Sequence, residues 1–128
     1  MNRKPRVIII TGQPCTGKTT LGRKLSKDLK LPLISKDEIR EVLYNNFDYK
    51  NDEATTSIST LNFELMFSFL NSILYSRTSC IIENVFEPKK YNSVFNELKN
   101  KYNVDFIQIL LYANGDTLFE RFKNRAVT

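Results

Sequence analysis

The segment Gly12-Gln13-Pro14-Cys15-Thr16-Gly17-Lys18-Thr19 constrains the fold more than any other part of this chain. It matches the pattern G-x-x-x-x-G-K-[ST] at every fixed position. It directly follows the apolar, β-branched run at residues 7–10 and directly precedes a helical pattern. Between a strand and a helix, successive backbone N–H groups can surround an anion. A glycine-rich turn with a chance lysine is the alternative, and this context argues against it.

The motif predicts a site for ATP and Mg²⁺. Gly12 and Gly17 allow the tight turn, Lys18 would reach the β- and γ-phosphates, and the Thr19 hydroxyl would coordinate the metal. Cys15 is either a reactive thiol near a helix N-terminus or a small residue that fills the loop, and we favour the second interpretation. The predicted nucleotide-binding residues are Gly12, Gln13, Pro14, Cys15, Thr16, Gly17, Lys18, Thr19 and Thr20.

Short apolar runs alternate with helical patterns along the rest of the chain, which predicts an α/β fold with a parallel sheet. The predicted strands are residues 7–10, 33–34, 80–82 and 104–112. The predicted helices start at Lys18 and Pro88, span 37–47 and 57–76, and include a last one near 118–122. Residues 48–56 are expected to form a loop or an irregular helix entry.

Helical periodicity predicts which side chains face the core. In the helix at 57–76, the aromatic residues Phe63, Phe67, Phe69 and Tyr75 are interpreted as core packing rather than as a ligand site. The residues expected to face inward are Leu21, Leu25 and Leu29, then Ile39, Val42 and Leu43, then Ile58, Leu61, Leu65, Phe69 and Ile73, and finally Tyr91, Val94, Phe95, Leu98 and Tyr102.

In an open α/β sheet, ligands bind beyond the carboxyl ends of the strands, so polar residues that follow each strand are candidates for the site. Asp37 and Arg40 follow the second strand on one side of a helical turn. Asp37 could accept a proton and Arg40 could orient an acceptor, or Asp37 could cap the helix and Arg40 be solvated. Glu83 follows the third strand and could hold magnesium or serve as a hydrogen-bond partner at the strand end.

Arg121 and Arg125 lie one helical turn apart after the fourth strand. They could neutralise charge on a transferred phosphoryl group, or could complement a helix dipole. The chain contains no histidine, so a general base has to come from a carboxylate, lysine, tyrosine or cysteine. Residues 1–40 hold ten Lys/Arg and three Asp/Glu, which suits a polyanionic ligand but equally describes solvated helix faces.

No apolar run approaches the roughly 20 residues that a membrane-spanning helix needs. The short run at 7–10 is also too short for the core of a signal peptide. Cys15 and Cys80 alone cannot form a zinc site and do not indicate a secreted disulfide scaffold. We therefore expect a cytoplasmic protein without a membrane partner.

Taken together, these segments resemble the nucleoside-monophosphate-kinase-like group of P-loop kinases, and most of all the AAA family ATPases described as predicted kinases. These share features with polynucleotide 5′-hydroxyl kinases and gluconate-type kinases. The resemblance lies in the Walker A motif and in the blocks at residues 33–40, 81–86 and 118–125. It covers nearly all of the chain, and the Walker A block is its most specific part.

The resemblance implies a three-layer fold with strand order 2-3-1-4-5 and the loop-bearing strand in the centre. Asp37 matches the catalytic base, Arg40 its acceptor-orienting partner, and Arg121 and Arg125 the arginines at the edge of a lid. Glycine is common in the group where Cys15 stands. A further lid, helix and fifth strand usually follow in the group, so residues 1–128 are expected to be one C-terminally truncated domain without strand 5.

The leading hypothesis is ATP- and Mg²⁺-dependent phosphoryl transfer to a hydroxyl. It assigns catalysis to Lys18, Asp37, Arg121 and Arg125, acceptor binding to Asp37 and Arg40, and the metal to Thr19 and Glu83. The alternative is an ATP-binding module or NTPase without kinase activity. A protein that binds nucleic acid through its basic N-terminal third is the third possibility, which no interleaving of aromatic and basic residues supports. The acceptor and the oligomeric state stay open.

Overall fold

The computed structural model describes residues 4–12, 17–47, 52–83 and 88–111. Strands alternate with helices throughout these ranges, as the apolar periodicity predicts. The elements are β1 (Arg6–Gly12), α1 (Lys18–Leu29), β2 (Leu33–Ser35), α2 (Lys36–Asn46), α3 (Asp52–Tyr75), β3 (Cys80–Glu83), α4 (Pro88–Tyr102) and β4 (Asp105–Leu111).

The four described strands form one parallel sheet in the order β2-β3-β1-β4. β1 lies inside the sheet, with Ile9 aligned to Ile82 of β3 and to Gln108 of β4. Ile34 of β2 aligns with Ile82 on the other side of β3. This arrangement confirms the α/β class and the predicted order of strands 1 to 4, and the described residues contain no fifth strand.

Helix α1 covers one face of the sheet through Gly22. A Cβ atom at this glycine would lie 3.2 Å from Leu33 Cδ1 and 3.7 Å from Ile10 Cδ1, so the missing side chain lets the helix approach the strands closely. The predicted apolar face is only partly correct, because Leu21 and Leu25 are half-buried and Leu29 is exposed. Because α1 contacts the strands closely at Gly22, it does not need a continuous row of buried leucines on that face.

Helices α3 and α4 cover the opposite face and enclose the main core. In α4 the prediction is confirmed, since Tyr91, Phe95 and Leu98 are buried and Val94 and Tyr102 pack against them. The core cluster consists of Val7, Ile9, Ile34, Met66, Leu70, Leu74, Cys80, Ile82, Tyr91, Phe95, Leu98 and Val104.

The predicted inward stripe of α3 is correct at its two ends and wrong by one position between them, and Ile73 at its end is partly buried against the core. Leu61 and Leu65 are more than one third exposed and Phe69 is half exposed. Ile58 is buried as predicted, and beyond it the buried stripe is Asn62, Met66, Leu70 and Leu74. Both stripes have helical spacing, and contact with the sheet and α4 selects the second.

In α2 the prediction that Val42 faces inward is wrong, since this residue is 60% exposed. The prediction is confirmed for Leu43, which is buried, and for Ile39, which is partly buried.

Five aromatic rings from three elements form a continuous cluster between α3, α4 and β4. Their centroids lie 4.7 to 6.0 Å apart, within the range of favourable ring pairs. The rings belong to Phe63, Phe67, Tyr91, Phe95 and Phe106. The core interpretation is therefore confirmed for Phe63 and Phe67, and wrong for the exposed Phe69 and Tyr75.

Two predicted boundaries differ from the structure. Helix α3 begins at Asp52, five residues before the predicted start, so residues 52–56 of the segment predicted as a loop or an irregular helix entry are helical. β4 spans Asp105–Leu111, close to the predicted 104–112, and the predicted last helix near 118–122 lies outside the described residues. Within the described ranges, no helix combines the length and the apolar character that crossing a membrane requires.

Candidate functional site

Three neighbouring strands end side by side at one edge of the sheet. Glu83, the last residue of β3, aligns with Ser35 at the end of β2 and with Ile10 near the end of β1. Gly12 ends β1 and leads into the motif loop. Because the strands are parallel, their carboxyl ends converge here, which is where open α/β sheets bind ligands.

Gly17 and Lys18 form the junction between the loop and α1. Gly17 has φ 92° and ψ 21°, a left-handed conformation that other residues rarely adopt. Lys18 is only 6% exposed, and its Nζ donates a hydrogen bond to the Gly12 carbonyl at 2.9 Å. The lysine side chain therefore returns toward the end of β1, beside the first backbone N–H groups of α1.

Glu83 is a fully buried carboxyl group at the centre of this edge. The Ser35 hydroxyl donates a hydrogen bond to Glu83 Oε2 at 2.6 Å. The other oxygen, Oε1, is buried and finds no hydrogen-bond partner in the described part of the chain. Burying a carboxylate oxygen without a hydrogen-bond partner costs free energy. The Glu83 carboxyl group is therefore suited to bind a cation, or a hydrogen-bond donor that arrives with a ligand.

Burial raises the pKa of Glu83, and the neighbouring Asp37 charge acts in the same direction. The hydrogen bond from Ser35, the Lys18 charge and the nearby Thr19 hydroxyl oppose this shift without cancelling it. Since each of these groups acts on Glu83, the structure brings the predicted residues Lys18, Thr19, Asp37 and Glu83 together.

Two buried polar side chains fix the first turn of α2. Ser35 is its N-cap, because the hydroxyl accepts a hydrogen bond from the Glu38 N–H at 3.2 Å. Asn62, on α3, donates from Nδ2 to the Lys36 carbonyl at 3.0 Å, and its Oδ1 is buried without a partner in the described residues. The alternative interpretation of Asp37 as the helix cap is therefore wrong.

Asp37 and Arg40 are exposed on the α2 turn that these contacts fix. The Arg40 guanidinium lies over the Tyr44 ring, 5.2 Å from its centroid, one helical turn further along. Glu38, between them, forms an ion pair with Arg23 of α1 at 2.8 Å. The α2 turn thus leaves one carboxylate and one guanidinium exposed to solvent, and the carboxylate, Asp37, acts on the buried Glu83.

Magnesium fits this edge by its donor chemistry. Mg²⁺ prefers oxygen ligands and is commonly held by one or two protein groups together with substrate phosphates. Glu83 Oε1 and the Thr19 hydroxyl are such oxygens, and the first has no hydrogen-bond partner within the described ranges. No cluster of three or more His, Cys, Asp or Glu side chains exists among the described residues, so within them a cation cage made of protein alone is not supported.

Six predicted site residues fall outside the part of the chain that the structure describes. They are Gln13, Pro14, Cys15, Thr16, Arg121 and Arg125. Their roles stay predictions.

Ser35 and Asn62 were missed by the sequence-based prediction. The sequence did contain a signal for Ser35, because Ser35-Lys36-Asp37-Glu38 matches the S-x-x-E capping box at a helix start. Asn62 continues the spacing of Ile58, Met66 and Leu70, but a single polar residue among apolar ones gives no sign of its partner.

The parallel sheet order, the sequence motif at residues 12–19 and the buried lysine at the start of α1 define a P-loop NTPase fold of the kinase type. Within that class the chain belongs to the AAA domain family, whose sequence model matches residues 8–128. None of the curated proteins matches the sequence.

Solved structures support the same assignment. A candidate kinase from Chloroflexus aurantiacus is 33% identical, with a TM-score of 0.90, over 98% of this chain and 68% of that chain. A gluconokinase from Sinorhizobium meliloti is 16% identical, with a TM-score of 0.60, over 98% and 69%. A chain of the Pnkp1/Rnl/Hen1 RNA repair complex is 18% identical, with a TM-score of 0.73, over 98% and 39%. The last two similarities show the fold alone. Together with the family match, the comparisons show that the chain has the nucleotide-binding fold of P-loop kinases.

Proposed function

We propose that this protein transfers the γ-phosphoryl group of ATP to a hydroxyl of a small molecule or of a nucleic acid end. The observation that carries the proposal is the grouping of Lys18, Thr19 and Asp37 around the buried Glu83 at one strand edge. A phosphate-binding lysine, a hydroxyl and a carboxylate for a metal, and a solvent-facing carboxylate are the parts that phosphoryl transfer needs in one place. We also propose that residues 1–128 act as a single nucleotide-binding domain.

The nucleotide side of the site is built on the loop and on α1. Backbone N–H groups within residues 12–20 (Pro14 has none) bind the phosphates, and the Lys18 ammonium neutralises charge that develops on the transferred group. Arg121 and Arg125 are proposed to add positive charge from the C-terminal segment. When bound, magnesium supplies electrostatic stabilisation of the phosphate oxygens, and Thr19 and Glu83 are the residues proposed to hold it.

The acceptor side is built on the first turn of α2. Arg40 orients the acceptor, and its guanidinium is braced by the Tyr44 ring. The acceptor oxygen forms a bond to the γ-phosphorus as the bond from that phosphorus to the bridging oxygen breaks. The hydroxyl proton passes to the Asp37 carboxylate, and ADP leaves with the electron pair of the broken bond.

Asp37→Asn tests this assignment. The amide cannot accept the proton, so we expect the transfer rate to fall by about 10²–10⁴-fold while ATP affinity stays nearly the same. Transfer is measured as ADP release and product formation, and affinity by calorimetric titration. Asp28→Asn, at an exposed position near the opposite end of α1, is the matched control and is expected to leave both quantities unchanged. Equal loss of affinity and transfer, or no loss of transfer, would contradict the role of Asp37.

The acceptor is sought with a panel of sugars, nucleosides, antibiotics and 5′-hydroxyl oligonucleotides, each tested for phosphorylation by [γ-³²P]ATP. Formation of a phosphorylated product with any of them supports transfer to a hydroxyl. Binding of ATP without any product, or hydrolysis alone, favours instead an ATP-binding module or an NTPase.

A further inference from the structure

One hydroxyl at the end of β2 forms two hydrogen bonds that point into different parts of the site. Ser35 Oγ donates to Glu83 Oε2 at 2.6 Å and accepts from the Glu38 N–H at 3.2 Å. Ser35 is 3% exposed, and Glu83 is fully buried. A hydroxyl is the smallest side-chain group that can donate and accept at once, so one residue satisfies both neighbours.

The two partners belong to the two halves of the proposed reaction. Glu83 is the carboxylate proposed to hold magnesium with the nucleotide, and it is 48 residues away from Ser35 in the sequence. Glu38 lies in the α2 turn that presents Asp37 and Arg40 to the acceptor. The two hydrogen bonds of Ser35 thus connect the β3 carboxylate with the start of α2.

We propose that Ser35 is a positioning residue that fixes the metal-binding carboxylate and the acceptor-binding turn relative to each other. This inference rests on the proposed function and adds to it a residue that touches neither substrate.

The geometry gives Ser35 a specific effect on the metal. A glutamate carboxylate turns easily about its last side-chain torsion, because that torsion joins sp³ and sp² carbons and is broad. The bond to Ser35 occupies Oε2 and leaves Oε1 without a hydrogen-bond partner among the described residues. Hydrogen-bond partners that orient a metal ligand typically change metal affinity by about 10–100-fold when they are removed. Loss of the hydroxyl should therefore weaken the Mg²⁺-dependent part of nucleotide binding.

The experiment compares Ser35→Ala, Ser35→Gly and Ser35→Thr with the unmodified protein. ATP affinity is measured by calorimetry in Mg²⁺ and in EDTA, and the ratio of the two affinities is the readout. We expect this ratio to fall by about tenfold or more in Ser35→Ala and Ser35→Gly and to be restored in Ser35→Thr, which keeps the hydroxyl. The affinity in EDTA should change little, because the phosphate loop keeps its own contacts.

Ser35→Gly separates this role from helix capping. Glycine is nearly as favourable as serine at an N-cap, so this variant removes the hydroxyl while it preserves most of the helix start. Ser26→Ala is the control for removing a serine hydrogen bond elsewhere, because Ser26 Oγ donates to the Leu31 carbonyl at 2.6 Å beyond the end of α1. It should leave the ratio unchanged.

The outcomes separate the two proposals. If the unmodified protein binds no ATP, the proposed function and this inference are both wrong. If it binds Mg·ATP and the ratio in Ser35→Ala and Ser35→Gly equals that of the unmodified protein, only the inference about Ser35 is wrong. A fall of the ratio in Ser26→Ala as large as in the Ser35 variants would also overturn it.

Discussion

Replacing Glu83 with glutamine should change how the stability of the fold depends on pH. Glu83 is fully buried and its pKa is raised, first of all because burial disfavours the charged form. The folded protein therefore binds this proton more tightly than the unfolded chain, in which a glutamate titrates near ~4.3. Between the two pKa values, the free energy of unfolding falls as pH rises.

The size of this pH dependence is set by a single proton, the one that Glu83 binds. Between the unfolded and the folded pKa, a single group lowers the free energy of unfolding by up to about 1.4 kcal/mol per pH unit. Above the folded pKa the loss is complete and no longer grows. Glu83→Gln cannot ionise, and its carbonyl can still accept the hydrogen bond from Ser35. We therefore expect the variant to lack this decline and to gain stability relative to the unmodified protein as pH rises.

The assay is urea unfolding followed by circular dichroism, from about pH 4 to about pH 8, a range that starts near the ordinary pKa of glutamate, with EDTA present to remove divalent cations. The informative quantity is the difference between the two proteins, because other titrating groups largely cancel in it. Glu97→Gln, on the exposed side of α4, is the matched control for removing one carboxylate. A difference that stays constant with pH, or that grows in favour of the unmodified protein, would refute the argument from burial.

Three further results are expected. Lys18→Ala should weaken ATP binding by about 10–100-fold in calorimetry, because a hydrogen bond to a charged group contributes about 1.5–3 kcal/mol. Unchanged binding would contradict the proposal that Lys18 binds the phosphates. Leu70→Ala should lower the urea-derived free energy of unfolding by about 2–5 kcal/mol and Phe69→Ala by clearly less, because only Leu70 is fully buried. In a Cys15→Ser background, Cys80 should not react with a thiol reagent at about pH 8 until the protein is unfolded, since burial raises its pKa to about 12 and the thiolate is the reactive form.

The sequence was sufficient to predict the sheet and its ligand-binding edge. Short β-branched runs, each followed by a helical pattern, left little choice but parallel strands, and the motif after β1 marked the edge at which the ligand binds. Glu83 and Asp37 were predicted to lie at that edge because residues near the carboxyl end of a strand converge there, and the structure places Asp37 near Glu83, the last residue of β3. Their roles stay predictions. These inferences depend on local spacing and on the rule for connecting parallel strands, both of which are visible in one sequence.

The buried face of α3 could not be predicted in the same way. This helix is apolar on two sides, so Leu61, Leu65 and Phe69 form as regular a stripe as Asn62, Met66 and Leu70. Only packing against the sheet and α4 selects between the two, and that information is not local.

The prediction of Asp37 as the cap of α2 was wrong for a different reason. Asp37 and Ser35 are both good cap residues, and the register of the strand end decides which of them precedes the first turn. Ser35 ends β2, so the helix starts at the next residue and Asp37 lies inside it.

The strand that ends at Ser35 is the shortest of the four, with three residues, and it lies at the edge of the sheet. Among the described strands it pairs with β3 alone, whereas β1 and β3 are bordered on both sides. Edge strands of this length open at a small free-energy cost relative to global unfolding. Fraying of this strand would separate the serine from the glutamate while the central strands remain paired. Amide exchange at residues 33–35 should then report the integrity of the site at denaturant concentrations where the rest of the sheet is still protected.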